Sequence, residues 1–290
     1  MTSWRDHYYR SEDGLDLYAR LYDRADSQRT ILCMHGLTRN SRDFEAVANH
    51  LADRYRVIAV DQRGRGNSAW DSDLTRYNPQ VYVKDMWTLL DGLAVPEVAM
   101  IGTSMGGLMA MMMGATVPKR TLGIVLNDIG PVLERSGLDR IKAYIGKTTS
   151  FDSWQQLADA TKALNGAFFP RYSKEDWLAM ARRTGTKTKD SKITLNYDPA
   201  LAAPIMQSEE AAVPPDLWPL FDMLAPLPLM TVRGTISDLF SVDTLKEMKQ
   251  RHPDMISHTV AEEGHAPMMD DPASLAAINV FMQSVFEGKN

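Results

Sequence analysis

Ser104 sits between Gly102 and Gly106 in the run Ile101-Gly102-Thr103-Ser104-Met105-Gly106-Gly107. A serine hydroxyl is a poor nucleophile at neutral pH. It needs a base to take its proton and a third group to orient that base. Of the six histidines, His265 is placed for the base, because it follows Val260-Ala261-Glu262-Glu263-Gly264 just past the last strand pattern and precedes Ala266-Pro267. Loops at the carboxyl ends of strands are where an open α/β sheet gathers its reactive groups. The orienting carboxylate is expected between serine and histidine in chain order. Asp238 and Asp128 both follow strand patterns. Asp238 is preferred, since its strand is nearest in sequence to the one that carries His265. Asp128 is then an alternative acid, a cap on the turn into Pro131, or a supporting group. Charge developing on a substrate oxygen needs two N–H donors. The backbone of Met105 and that of Leu37, in His35-Gly36-Leu37, are the candidates. His35 is read as shaping that loop. Together these groups describe acyl transfer through a covalent intermediate.

Such groups need a frame. Residues 5–10 and 15–22 alternate around Glu12-Asp13-Gly14, which signals a hairpin. Thr30 to His35, Arg56 to Val60, Val98 to Ile101, Leu122 to Leu126, Leu229 to Val232 and Met255 to Val260 read as strands, most of them apolar runs suited to burial on both faces. Helical spacing falls between them at 41–53, 80–94, 241–250 and 272–286, and the apolar run Leu108 to Gly114 follows the serine. The alternation predicts an α/β protein: a mainly parallel sheet flanked by helices, with an antiparallel hairpin at one end. A strand that turns sharply into a helix at Ser104 lifts the hydroxyl clear of the sheet and leaves free N–H groups behind it. From 131 to 221 the strand rhythm stops and helical patches appear around 137–146, 152–164 and 173–183. The division is therefore a core of 1–130 and 222–290 with a helical cap at 131–221. In the cap, Trp154, Phe168, Phe169, Trp177 and Trp218 could line an apolar pocket or pack the insertion against the core. Arg39, near the Leu37 loop, could meet a substrate carboxylate.

The chain has 290 residues, a net charge of −5 and one cysteine, Cys33. The charge gives no reason to expect nucleic acid, and a lone cysteine inside an apolar run reads as a buried thiol. No secretory pattern opens the sequence and no apolar run is long enough to span a bilayer. The expectation is a cytoplasmic protein with a small-molecule substrate and no membrane partner. A homodimer is compatible with the sequence.

His35-Gly36, Asp61-x-Arg63-Gly64-x-Gly66-x-Ser68, Gly102-x-Ser104-x-Gly106-Gly107, Asp238 and Gly264-His265 together resemble the α/β-hydrolase fold superfamily. The resemblance covers nearly the whole chain, the cap excepted. It implies an eight-stranded sheet, a Ser104–His265–Asp238 triad beneath the cap, and a hydrolase with neither cofactor nor metal. Epoxide hydrolases and haloalkane dehalogenases carry an aspartate where Ser104 stands. The Gly-Pro-Gly turn frequent in carbon–carbon bond hydrolases is replaced by Leu37-Thr38-Arg39-Asn40, and the His-Gly-Gly-Gly lipase pattern is absent. The carboxylesterase group of the superfamily remains, acting on a small, largely apolar ester. A carbon–carbon bond hydrolase of a diketone or ring-cleavage product is the alternative, followed by a binding module of low turnover.

Overall fold

The computed structural model describes residues 4–23, 27–207 and 216–288. The chain opens with the antiparallel hairpin β1 (Arg5–Arg10) and β2 (Asp16–Tyr22). Then come β3 (Thr30–Met34), α1 (Glu45–Leu51), β4 (Arg56–Asp61), α2 (Pro79–Gly92), β5 (Val98–Thr103), α3 (Met105–Thr116) and β6 (Thr121–Asn127). An inserted segment follows, with α4 (Arg135–Tyr144), β7 (Ser150–Phe151), α5 (Trp154–Asn165), α6 (Lys174–Thr184), β8 (Gly185–Lys187), β9 (Ile193–Leu195), α7 (Ala202–Gln207) and α8 (Trp218–Asp222). The alternation resumes with β10 (Leu229–Gly234), α9 (Val242–Arg251), β11 (Ile256–Val260) and α10 (Pro272–Glu287).

Eight strands form one sheet in the order β1-β2-β4-β3-β5-β6-β10-β11. The pairings from β4 to β11 are parallel, and β2 lies antiparallel on β4. β3 is buried throughout and β5 nearly so, because helices cover both faces of a parallel sheet. One face packs on α2 and α3. The other packs on α1 and α10, where Ile278, Phe281 and Met282 are buried. Each such side chain contributes about 1.5–3 kcal/mol relative to exposure. Cys33 lies in this second layer, and burial pushes its thiol pKa up.

Local chemistry sets the helix starts. Asn78 caps α2 by accepting from the Val81 N–H, with Pro79 in the first turn. Ser173 and Asp176 form a capping box on α6. The inserted segment departs from the helical expectation in one respect. β7, β9 and β8 make a small antiparallel sheet of their own. Strands of two and three residues are too short to leave an alternation in the sequence. Among the described residues, no helix is long and apolar enough to cross a membrane.

Candidate active site

Ser104 joins β5 to α3 with φ 53° and ψ −117°. A non-glycine residue in that region costs of order 1–3 kcal/mol, so its surroundings must impose it. Two glycines allow this. A Cβ on Gly106 would lie 2.0 Å from the Met34 carbonyl oxygen, and one on Gly102 would lie 2.3 Å from the Gly106 carbonyl oxygen. Only residues without side chains let the helix begin this close to the sheet. The Ser104 N–H donates to the Asn127 carbonyl at 3.0 Å, fixing the corner to β6.

His265 lies in the loop after β11, with Nε2 2.9 Å from Ser104 Oγ and Nδ1 2.9 Å from Asp128 Oδ2. A carboxylate accepts, so the Nδ1–H donates to Asp128 and Nε2 is left to accept from the serine hydroxyl. Asp128 follows β6 directly and is 0 % exposed. Its Oδ1 also accepts from the Gly234 N–H at 2.9 Å, and its Oδ2 from the Ser237 hydroxyl at 2.6 Å. Asn127 braces the histidine loop by donating to the Pro267 carbonyl at 2.8 Å and to Thr103 Oγ1 at 3.0 Å.

The preference for Asp238 is therefore corrected. Its carboxylate accepts from Arg140 Nε at 2.6 Å and Nη2 at 2.9 Å, and Asp128 occupies the place beside His265. β10 does pair with β11, so the strand adjacency behind that preference holds, but adjacency does not decide which carboxylate reaches the histidine. β6 lies between β5, which carries Ser104, and β10. A residue at its tip faces the serine corner and the histidine loop together. Asp238 is further out in the turn after β10, facing the inserted segment.

The Leu37 loop runs alongside Ser104, since a Cβ on Gly36 would be 3.6 Å from the Ser104 Cβ. Met105 opens α3, where the first N–H groups have no intrahelical acceptor. Arg65 touches both oxyanion candidates. Its Nε donates to the Leu37 carbonyl at 2.8 Å, its Nη1 to the Arg63 carbonyl at 2.7 Å, and its Nη2 is 3.6 Å from Met105 Sδ. The guanidinium is 4.7 Å from the Tyr82 ring centroid, and the residue is 0 % exposed. Arg65 stands at an unspecified position of the Asp61–Ser68 motif, between Gly64 and Gly66, so no sequence signal marks it. His35 is buried with Nδ1 donating to the Gly36 carbonyl at 2.7 Å and Nε2 accepting from the Gln62 N–H at 3.0 Å. Burial, with the nearby charge of Arg65, pushes its pKa down to about 3. It is a neutral strut for the loop and not a base. The rest of the motif is also structural. Asp61 accepts from the Ser41 and Asn67 N–H groups, and Arg63 is held by Asp85, Asp71 and Asp13.

Ser104 and His265 open on a cavity of about 150 Å³. The Leu37 loop forms part of its floor, and α4, α5 and α6 of the inserted segment form its roof. Of the residues expected to line a pocket, Arg39 and Phe169 do. Trp154, Phe168, Trp177 and Trp218 do not. Trp177 is 2 % exposed in a cluster within the insertion, with Trp154 and Phe168 packed against it. Trp218 packs edge-on to Phe221 at 5.8 Å and under Arg251 at 4.2 Å. The apolar area of Trp154, Phe168 and Trp177 holds the roof together, and Trp218 packs on the main core. Near the histidine, Glu263 is partly buried and accepts from the Met268 N–H at 3.3 Å, and burial pushes its pKa up to about 7.

The family described as the alpha/beta hydrolase fold matches residues 29–272. A 3-hydroxybutyrate-oligomer hydrolase of Cupriavidus necator is 37% identical over 254 residues, covering 86% of each chain. A 2-(acetamidomethylene)succinate hydrolase of Mesorhizobium japonicum is 28% identical over 227 residues, covering 78% of this chain and 77% of its own. Among solved structures, an alpha/beta hydrolase from Novosphingobium aromaticivorans superposes with a TM-score of 0.92 at 38% identity, covering 98% of this chain and 99% of that one.

Proposed function

The chain belongs to the alpha/beta hydrolase fold family, and from that premise we propose that this hydrolase is a serine esterase working through an acyl-enzyme. The observation that carries the reading is the unbroken hydrogen-bonded line from Ser104 Oγ through His265 to Asp128, opening on a small cavity. His265 Nε2 takes the hydroxyl proton as Ser104 Oγ attacks the ester carbonyl carbon. The imidazolium so formed is stabilised by Asp128, which also fixes the tautomer. Backbone N–H groups of Leu37 and Met105 receive the oxyanion. The tetrahedral adduct collapses, the carbon–oxygen bond to the alcohol breaks, and His265 returns its proton to the leaving oxygen. Water, deprotonated by the same imidazole, then attacks the acyl carbon. Ser104 Oγ then leaves, taking that proton back from His265, as the carbonyl of the second adduct re-forms, and the acid departs. The inserted segment acts as the cap, and its roof selects the substrate.

The relative from Cupriavidus necator carries the substrate class. At 37% identity across most of both chains, it favours short esters of a hydroxy acid such as 3-hydroxybutyrate. The test is turnover of p-nitrophenyl esters of increasing acyl length, and of 3-hydroxybutyrate dimer and trimer, by the wild type and by Ser104→Ala. The reading expects turnover of the short esters and the oligomers, and its loss by at least about 10³-fold in Ser104→Ala. Turnover that survives Ser104→Ala contradicts it. A folded wild type that cleaves no ester contradicts it too, and turns attention to the carbon–carbon hydrolase alternative.

A further inference from the structure

Two arginines stand in the cavity wall, and their counter-ions are placed differently. Arg39 is paired with Asp43 at 2.6 and 2.9 Å, and Asp43 lines the cavity beside it. At that point of the wall the two charges cancel. Arg140 also lines the cavity, but its partner Asp238 does not. Asp238 grips the guanidinium from outside, on Nε and Nη2. Among the described residues lining the cavity, Arg39 and Arg140 are the cations and Asp43 is the one carboxylate. Each guanidinium is thus matched by one carboxylate, Asp43 in the cavity wall and Asp238 behind it, so what Arg140 turns to the cavity is its N–H groups without an acidic neighbour on the same wall. The guanidinium plane is fixed by more than Asp238. Its Nη1 donates to Asn165 Oδ1 at 3.2 Å, and its carbon lies 4.4 Å from the Phe168 ring centroid. Arg140 and Asp238 are only 16% and 12% exposed at their side chains, so solvent screens the site weakly. Tyr144, one turn further along α4, lines the same wall.

We propose that Arg140 anchors a free carboxylate of the substrate, so that the cavity selects esters bearing a negative charge at the end away from Ser104. The proposal rests on the esterase reading and deepens it. Asp238, whose strand is nearest in sequence to the one before His265, orients the anchor instead of the histidine. A planar guanidinium held along one edge can still turn its remaining N–H groups to a second acceptor, and a charge-assisted pair is roughly twice as strong as a neutral hydrogen bond. An oligomer of a hydroxy acid offers this arrangement, an ester bond and a terminal carboxylate on one short chain. Asn165 and Tyr144 supply further polar groups beside the same site. Positioning by the remote carboxylate is then realised at the scissile bond.

The test compares the 3-hydroxybutyrate dimer with its methyl ester, which differs by one capped carboxylate, in the wild type, Arg140→Gln and Asp238→Asn. The wild type should prefer the free acid by at least about tenfold in kcat/KM. Arg140→Gln should abolish that preference through KM, raising KM for the free acid at least about tenfold more than KM for the methyl ester. Asp238→Asn should reduce the preference in part. An acid preference that persists in Arg140→Gln overturns the proposal. So does an equal loss on both substrates, which marks a structural role. Calorimetry with 3-hydroxybutyrate and its amide on the wild-type protein needs no variant and no turnover: the acid should bind at least about tenfold more tightly, and equal binding overturns the anchor. If no ester is cleaved while the wild type binds the acid at least about tenfold more tightly than the amide and Arg140→Gln does not, the esterase reading fails and the anchor stands.

Discussion

The floor and the roof of the cavity are built on opposite principles. The floor is sheet: Ser104, Asp128 and His265 sit at the tips of β5, β6 and beyond β11, and Asn127, Gly102 and Gly106 lock those tips to one another through backbone contacts. The roof is an insertion with its own small aromatic core, in which Phe169, Tyr172 and Trp177 pack at 4.9–6.2 Å between centroids. Each level uses one aspartate to aim one cation or base. Asp128 aims His265 on the floor, and Asp238 aims Arg140 on the roof. On the reading proposed above, the same pairing of a carboxylate with a nitrogen donor serves chemistry below and selection above. This division lets a fold keep its reaction while its insertion changes the substrate.

The sharpest way to break the comparison is to neutralise each aspartate in turn. Asp128→Asn should lower kcat on a neutral ester by about 10³–10⁴-fold, because the imidazole loses the partner that fixes its tautomer. Asp238→Asn should leave the same neutral-ester kcat within about threefold. Steady-state kinetics of the two variants reads the difference, and similar losses in both would erase the distinction between floor and roof.

Arg65 gives the next largest effect. It is a fully buried guanidinium whose hydrogen bonds go to the Leu37 and Arg63 carbonyls. Arg65→Met should lower kcat by about 10–10²-fold with KM little changed, since a buried carbonyl is left without its donor and the Leu37 loop shifts by a fraction of an ångström. Arg65→Lys, which keeps a charge and a donor, should recover part of the loss. A change confined to thermal stability would make Arg65 a strut for the fold alone.

The smallest effect belongs to Glu263. Its folded pKa is raised to about 7 from an ordinary 4.5, with burial as the main cause. The folded protein therefore holds that proton more tightly than the unfolded chain. The stability this gives is fully present below about pH 4.5 and is lost as pH rises through about 7. Glu263→Gln should flatten the fall of Tm across that window, measured by calorimetry at stepped pH. An unchanged slope would mean that other groups set it.

Much of the floor is legible in the sequence and little of the roof. Ser104 reads clearly because its requirement is local: a strand, a glycine corner and a helix stand in one short run. The loop after the last strand marks His265 in a similar way. Asp128 and Asp238 both follow strands, and the choice between them depends on where each lies at its strand end: Asp128 directly follows β6, while Asp238 lies four residues beyond β10 and turns to Arg140. The turn after β10 and its ion pair with the inserted segment fix that, and neither is written in a local motif. Arg140 sits on an amphipathic helix among other exposed-looking charges, with no motif around it. The aromatic residues of the insertion are equally suited to lining a pocket and to filling a core. The strands β7, β8 and β9 carry few apolar side chains, of which Ile193 is buried and Phe151 packs against the cluster that holds Trp177.

The most direct measurement is the low-field proton resonance of the His265 Nδ1–H, recorded by NMR with the ring protonated, in the wild type, Asp128→Asn and Asp238→Asn. A hydrogen bond from Nδ1 to Asp128 predicts a resonance that persists in Asp238→Asn and is lost or moved far upfield in Asp128→Asn. The reverse pattern would place His265 on Asp238 and contradict the account.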